Sequence, residues 1–154
     1  MRVLFLSGSS KVGGGARSLL GLATGLRRRG IDTLIVLPGA GALQALCDAE
    51  AQPYRVLPLP QPGWREPLAS WRGYALVREL LREWPCDLVH ANDLSTARAV
   101  SVAAWRSGLP VVCHVRFPAE SSYVRWAFRG LPKPRAFVFN SRALLAETAP
   151  ELLR

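Results

Sequence analysis

The strongest constraint on the fold is a regular alternation of short apolar runs with helical patterns along the whole chain. Most runs are apolar without interruption and rich in Val, Leu and Phe, which is typical of strands covered on both faces in a parallel sheet. They predict strands at Arg2–Ser7, Thr33–Leu37, Tyr54–Leu57, Asp87–Ala91, Val111–Val115 and Ala136–Phe139. The intervening segments predict helices at Ala16–Arg29, Gly41–Ala49, Ala69–Trp84, Ser95–Ser107, Ser121–Arg129 and Arg142–Thr148. Such alternation predicts an α/β domain with a doubly wound, Rossmann-like parallel sheet and helices on both faces.

The charge balance narrows the classes of partner. The 154 residues fit one domain, and 20 basic against 11 acidic side chains give a net charge of +9. Such a charge favours anionic partners, namely nucleic acid, phosphate-bearing small molecules or an acidic membrane surface, although codon bias toward arginine accounts for it equally well. The arginines are spread over many helices without an aromatic stacking motif, which argues against nucleic acid.

The cysteines and the apolar runs indicate the compartment. Cys47, Cys86 and Cys113 are widely spaced and form no CxxC pair, so a structural metal site is not expected. Two of them lie in or beside apolar runs, which favours buried thiols in a reducing cytoplasm. No secretory signal and no run of about 18 apolar residues is present. We therefore expect a cytoplasmic protein.

Three consecutive glycines, Gly13, Gly14 and Gly15, follow the first predicted strand and open a helix. They fit neither a P-loop, which needs Lys-Ser after the last glycine, nor a dinucleotide fingerprint, because Ser18 stands at its third glycine. Backbone amides without side chains at a helix N-terminus favour an anion, and Arg17 adds positive charge in the first turn. The alternative is a flexible turn that needs positive φ and holds no ligand.

Polar residues also follow two later predicted strands. His90 lies inside the end of one strand, Asn92 and Asp93 follow it, and His114 with Arg116 ends the next strand. The carboxyl ends of strands are where open α/β sheets place ligands. His114 and Arg116 alternate along the strand, so we expect both to face one cleft, with an imidazole for proton exchange and a guanidinium for a carboxylate or phosphate. His90 is the weaker candidate, and Ser95 is expected to cap the following helix.

The predicted helix around Trp71–Trp84 is amphipathic and follows a proline-rich segment, Pro58–Pro67. The simplest interpretation is a surface helix packed on the sheet. The tryptophans at positions 64, 71 and 84, together with neighbouring arginines, allow a second interpretation, a membrane-surface or acceptor-docking element.

In order and spacing, these segments resemble the N-terminal, acceptor-side domain of a GT-B glycosyltransferase of the family-4-like retaining type. The resemblance rests on VLFLS with GGGARSLLGLATGLRRRGIDTLIV, then DLVHAND, GLPVVCHVR and AFVFNSRALLAE, and covers most of the chain. It implies one half of a two-domain architecture, in which a C-terminal domain holds the nucleotide-sugar donor. It also implies sugar transfer with the diphosphate as leaving group, the nucleotide-sugar being a substrate, with no cofactor and no obligatory metal.

The resemblance also implies roles for particular residues. The glycines Gly13 and Gly14, with Gly15 adjacent, would approach the donor phosphates and the acceptor. His114 would contact the transferred sugar near the reaction centre and is the expected catalytic residue. The pairs Asn92-Asp93 and Asn140-Ser141 match polar pairs after two strands and complete the expected substrate-binding set with Arg17 and Arg116.

The sequence departs from this family pattern in two respects. Ala16 replaces the acid often found after the loop glycines, and no donor-binding domain follows within residues 1–154. We therefore expect an N-terminal domain that is inactive alone and needs a C-terminal domain in cis or in trans. The alternatives are a non-catalytic partner or binding subunit of a split glycosyltransferase, or part of a nucleotide-sugar epimerase of the same fold.

Overall fold

Strands and helices alternate along the chain as the sequence predicts. The computed structural model describes residues 1–63, 65–118 and 121–153. Its strands are β1 (Arg2–Leu6), β2 (Asp32–Leu37), β3 (Tyr54–Val56), β4 (Leu88–Ala91), β5 (Val111–Val115) and β6 (Ala136–Phe139). Its helices are α1 (Gly14–Arg27), α2 (Ala42–Ala49), α3 (Pro67–Glu83), α4 (Leu94–Arg106), α5 (Ser121–Ala127) and α6 (Arg142–Leu153).

The six strands form one parallel sheet in the order β3-β2-β1-β4-β5-β6. From β1 the chain first moves outward through β2 to β3, and it then returns to the other side of β1 as β4. Strands β1 and β4 are therefore neighbours at the point where the winding direction changes, which is where open α/β sheets bind ligands. The predicted doubly wound fold is confirmed.

Helices cover the sheet on two faces, and each face has its own core. Helices α1 and α2 pack on one face over Val3, Phe5, Ile35 and Leu37. The other face carries α3 to α6 over a larger cluster that includes Leu4, Leu6, Val89, Ala91, Cys113 and Val115. Adjacent residues of one strand thus enter different cores, which explains why the strands read as continuous apolar runs.

The structure shifts most predicted boundaries by one or two residues, extends the last helix further, and corrects one predicted cap. Helix α1 begins at Gly14 instead of Ala16, and α6 continues past Pro150 to Leu153 instead of ending at Thr148. The buried side chain of Leu152 joins the larger core, so tertiary packing stabilises the helix beyond its proline. The N-cap of α4 is Asp93, whose carboxylate accepts a bond from the Thr96 amide at 2.8 Å; the prediction of Ser95 as the cap was wrong.

Helix α3 has the predicted amphipathic faces. Val77, Leu80 and Leu81 are buried, and Trp84 packs beside them. Trp71 is 67% exposed. The tryptophan at position 64 lies outside the described residues. No helix in the described parts of the chain is long and apolar enough to span a membrane.

Candidate functional site

The candidate site lies at the carboxyl ends of β1, β4 and β5. The backbone amide of Asn92 donates to the carbonyl of Leu6 at 2.9 Å, so the segments leaving β1 and β4 start side by side. The segment after β1 leads through the glycines to α1, and the segment after β5 begins with Arg116. Topology therefore brings together residues that lie about a hundred positions apart in the sequence.

The N-terminus of α1 is open and uncapped. Gly13 is the N-cap in an extended conformation, it has no side chain to cap the helix, and no acid lies in the first turn. A Cβ placed on Gly13 or on Gly14 would meet no atom within 4 Å. A 14-residue helix thus presents its free amides and its positive dipole end to open space, where an anion can approach the backbone.

Arg116 lies directly against this helix end. Its Nε donates to Asn92 Oδ1 at 2.6 Å, and one terminal nitrogen donates to Ser18 Oγ at 3.1 Å. Asn92 in turn donates from Nδ2 to the Gly15 carbonyl at 3.3 Å. The guanidinium is therefore held in place by both α1 and the segment after β4.

One nitrogen of this guanidinium is left without a partner. Arg116 is only 8% exposed, yet its second terminal nitrogen makes no hydrogen bond in the described parts of the chain. A buried, charged N–H group without an acceptor is costly, so this nitrogen is available to an acceptor that a ligand supplies. An anion at the N-terminus of α1 would do so.

The two histidines lie on the sheet face that carries α1. His90 is buried against Phe5, with ring centroids 5.0 Å apart, and its ring meets that of His114 edge-on at 5.8 Å. Burial lowers the pKa of His90 to about 4, and the charges of His114 and Arg116 act in the same direction. Burial, and next the charge of Arg116, also lowers the pKa of His114. Both rings are therefore neutral at neutral pH.

The His114 side chain can therefore act as a neutral hydrogen-bonding group at neutral pH, but it does not carry a proton to donate as an acid. Its Nδ1 is buried and has no hydrogen-bond partner among the described residues. A neutral imidazole offers one donor and one acceptor nitrogen, so it can bind a hydroxyl group without carrying charge into the site.

The other predicted residues differ in what they contact. Asn140 donates from Nδ2 to the Arg116 carbonyl at 2.9 Å and so supports the strand end. Ser141 accepts a bond from the Leu144 amide and holds the start of α6, whereas Arg17 is exposed. Asp93 caps α4 close to Gly8, where a Cβ would lie 2.4 Å from its Oδ2.

Two residues of the candidate site, Ser18 and Gly8, were not predicted from the sequence. Ser18, noted only because it is not a glycine, binds Arg116, and Gly8 leaves room for the carboxylate of Asp93. A Ser one turn after an open helix N-terminus was the available signal for the first. No sequence signal marks the second, since its contact comes from another strand. Within the described residues no group of three or more His, Cys, Asp or Glu side chains could hold a metal ion.

Comparison with known proteins gives the chain a family. The model of a family described as "Glycosyl transferase 4-like domain" matches residues 13–149. No curated protein matches the sequence.

Solved structures share the fold at low sequence identity. Anabaena HepE in complex with UDP and glucose superposes with a TM-score of 0.76 at 24% identity, covering 98% of this chain and 41% of that one. A glycosyltransferase from Rickettsia africae gives 0.70 at 18%, covering 96% and 40%. A UDP-N-acetylglucosamine 2-epimerase gives 0.55 at 21%, covering 79% and 36%. The chain thus spans about two fifths of the length of these proteins.

Proposed function

The chain belongs to the glycosyl transferase 4-like family, and from this membership we propose that it is the acceptor-side domain of a GT-B glycosyltransferase. The enzyme moves a sugar from a nucleotide-sugar donor to an acceptor, and the nucleoside diphosphate leaves. The observation that carries the proposal is the uncapped N-terminus of α1 beside the buried, incompletely bonded Arg116. HepE, which shares the fold over 98% of this chain, was solved in complex with UDP and glucose.

In this proposal the diphosphate of the donor approaches the amides of Gly13, Gly14 and Gly15. The free N–H groups of Arg116 supply a charge-assisted bond to a phosphate oxygen, and Arg17 adds positive charge from solvent. Because Asn92 and Ser18 already orient the guanidinium, little side-chain entropy is lost when the anion binds.

We assign the contact with the transferred sugar to His114. A neutral ring can accept a hydrogen bond from a sugar hydroxyl or donate one to it near the reaction centre. Asn92 and Asn140 act on the substrate through Arg116, which they hold, and Asp93 and Ser141 combine substrate contact with their helix-start bonds.

The donor nucleotide would be bound mainly by a second domain. The chain covers 41% of HepE, so the proposal needs a donor-binding domain in cis or in trans and expects no turnover from residues 1–154 alone. The same geometry suits a non-catalytic subunit of a split glycosyltransferase. Similarity to a 2-epimerase keeps a nucleotide-sugar epimerase as the second candidate.

The anion site can be tested with inorganic pyrophosphate by isothermal titration calorimetry. Arg116→Gln should weaken pyrophosphate binding by about 10- to 100-fold, the effect of one lost bond between charged groups. Arg106→Gln, an exposed arginine in the last turn of α4, is the matched control and should change nothing. Equal losses in both variants, or none in either, would contradict a specific site at α1.

Transfer itself requires the second domain. Mixing the chain with a donor-binding domain, or fusing the two, should produce nucleotide-sugar consumption that His114→Ala lowers far more than it lowers stability. Equal losses of turnover and stability would indicate a structural role for His114. Interconversion of the nucleotide-sugar without an acceptor would favour the epimerase.

The start of α3 is the proposed contact with an anionic membrane. Leu68 and Trp71 are 72% and 67% exposed, and Arg65 and Arg72 are exposed close to them in sequence. Exposed apolar side chains beside arginines suit the boundary of an anionic lipid surface, and the free, largely buried thiols suit the cytoplasmic side. Co-sedimentation with anionic but not with neutral liposomes, lost in Trp71→Ala, is the expected result.

A further inference from the structure

A cavity of about 510 Å³ lies at the opposite edge of the sheet from the candidate site. It opens between the end of α4 and the segment that precedes β6, where β5 and β6 begin. We call it the amino-edge pocket. Its lining includes Ala97, Ser101, Trp105, Pro132, Lys133 and Arg135, and it shares no residue with the candidate site. Its volume is in the range usual for small-molecule sites.

The pocket exists because one stripe of α4 carries small side chains. Ala97, Ser101 and Trp105 follow one another at intervals of four residues, so they lie on the same side of the helix. Ala97 and Ser101 are buried, and their side chains are too short to fill the space between α4 and the segment 132–135. The Ser101 hydroxyl donates to the Arg98 carbonyl at 2.9 Å, so it offers the pocket only an acceptor. The space is therefore built into the packing of α4.

The backbone around the pocket is fixed by hydrogen bonds. The Arg135 amide donates to the Val111 carbonyl at 2.8 Å, which ties the segment before β6 to the start of β5. On the other side, the Gly108 amide donates to the Trp105 carbonyl at 3.0 Å, and Gly108 has a φ of +68°, which favours glycine. Pro134, whose ring restricts φ, is buried next to Arg135. A ligand thus meets a preformed site, which lowers the entropic cost of binding.

The charged lining of the pocket is basic. Lys133 and Arg135 line it, and no Asp or Glu does so among the described residues. Lys133 Nζ donates to the Leu152 carbonyl at 3.1 Å, which positions the ammonium group and leaves it further N–H groups for a ligand. Arg135 is exposed, and its guanidinium makes no hydrogen bond or ion pair with the described residues. Two cations that no carboxylate neutralises favour an anionic ligand.

Trp105 supplies an aromatic wall. It is 65% exposed although it lines a cavity, and its indole N–H has no hydrogen-bond partner in the described parts of the chain. An indole ring offers a flat apolar surface on which another ring can stack, and its N–H can donate to a polar atom at the edge of that ring. The lining therefore matches a ligand that combines one flat ring with one anionic group.

We propose that the amino-edge pocket binds an organic anion with one aromatic ring system, the chemistry shared by nucleoside monophosphates and aromatic carboxylates. The ring stacks on Trp105, and the anionic group bonds to Arg135 and Lys133. The site goes beyond the proposed function and does not depend on it, because it lies at the other edge of the sheet from the residues assigned to donor and acceptor. The ligand is a third molecule, which binds while the candidate site remains open.

NMR titration of the ¹⁵N-labelled chain tests the pocket. Adenosine monophosphate and 2-naphthoate combine a ring with a charge, whereas adenosine has only the ring and inorganic phosphate only the charge. At least one of the two ring anions should shift the Trp105 indole N–H and the amides of Gly108 and Arg135 in a saturable way. Adenosine and phosphate should each bind there at least about tenfold more weakly. Binding of the nucleotide alone identifies the anionic group as a phosphate, and binding of naphthoate alone identifies it as a carboxylate.

Variants separate the pocket from its surroundings. Trp105→Ala and Arg135→Gln should each weaken binding of the ring anion by about tenfold. Both side chains are exposed, so the fold should persist, and the spectra of the variants check this directly. The matched controls are Trp71→Ala, a tryptophan of similar exposure (67%) on α3, and Arg29→Gln, an exposed arginine after α1. Neither control should change the affinity.

The proposal is wrong if neither ring anion shifts the pocket signals, if adenosine or phosphate binds there as tightly as the ring anions, or if both pocket variants bind like the controls. The amides of Gly13 to Gly15 report separately on the anion site of the proposed function. Shifts confined to those glycines remove the amino-edge pocket and leave the proposed function standing. Shifts confined to the pocket count against the anion site at α1 and leave the pocket standing.

Discussion

Arg116 lies so close to Gly15 that a Cβ on residue 15 would be 3.0 Å from its Cδ. The same guanidinium is bonded to Asn92 and Ser18, so it has little freedom to move away. The absence of a side chain at position 15 is thus what lets the end of β5 pack against the start of α1. The contact connects the glycine segment with the histidine strand.

Gly15→Ala should therefore behave differently from Gly21→Ala. Both positions are in α1, but a Cβ at Gly21 would meet nothing within 4 Å. Alanine at 21 should raise the free energy of unfolding by about 0.5–1 kcal/mol, the usual gain over glycine in a helix. Alanine at position 15 should not raise the free energy of unfolding in this way, because its Cβ would crowd Arg116 Cδ. It should also weaken pyrophosphate binding. Urea unfolding and calorimetry measure both, and equal stabilisation by the two variants would contradict the tight contact.

His90 should make the protein sensitive to mild acid. Its pKa falls from 6.5 in the unfolded chain to about 4 in the folded chain. Above pH 6.5 the ring is therefore neutral in both states, and its titration does not change the free energy of unfolding. Between pH 6.5 and about 4 only the unfolded chain takes up the proton, and stability falls by up to about 1.4 kcal/mol per pH unit, about 3 kcal/mol in all.

His90→Gln removes this titration. The loss of unfolding free energy between pH 7.5 and pH 4.5 should be smaller in the variant by about 2–3 kcal/mol, measured by urea unfolding at both values. Carboxylates contribute equally to both proteins and cancel in the difference. Identical pH profiles would show that His90 is protonated as easily when folded as when unfolded.

Asp93 should matter for stability through its cap. Its carboxylate and the Thr96 side chain form a reciprocal capping box at the start of α4. Asp93→Ala should lower the free energy of unfolding by about 1–2 kcal/mol, and Asp93→Ser, which can still cap, should lower it by much less. Thermal unfolding followed by circular dichroism gives the comparison. Ser95→Ala is the control, because Ser95 only donates to the capping carboxylate.

Arg98 should hold the proline-rich segment in place. Its guanidinium is bonded to the Pro62 and Ala127 carbonyls and stacked on Trp126. Arg98→Met keeps the apolar stem and removes these bonds, so cleavage after the exposed Arg65 by trypsin should accelerate by tenfold or more, corresponding to about 1.4 kcal/mol of lost anchoring. Arg106→Met should not change the cleavage rate. Unchanged cleavage in both would show that the segment does not depend on Arg98.

The pattern of the chain was sufficient for the architecture. Short apolar runs form the strands, because both faces of the sheet are covered and most strand side chains enter a core. The segments between them form helices, because their apolar residues recur at the helical spacing and so face the sheet on one side. The carboxyl ends of the strands follow from the parallel arrangement, so the neighbourhood of Gly15, Asn92, His114 and Arg116 could be predicted. Family membership, suggested by the order of the segments, is confirmed by the match over residues 13–149.

Tertiary packing decided what each of these residues does there. The sequence contains no sign that Arg116 would pack against Gly15, that Gly8 would make room for Asp93, or that Arg98 would be buried with backbone carbonyls as its hydrogen-bond partners. Each depends on the distance between a side chain and the backbone of another segment, which is set by how closely the helices pack on the sheet. Local propensity acts over a few residues along the chain, whereas hydrogen bonds and crowding act over about 3 Å in space.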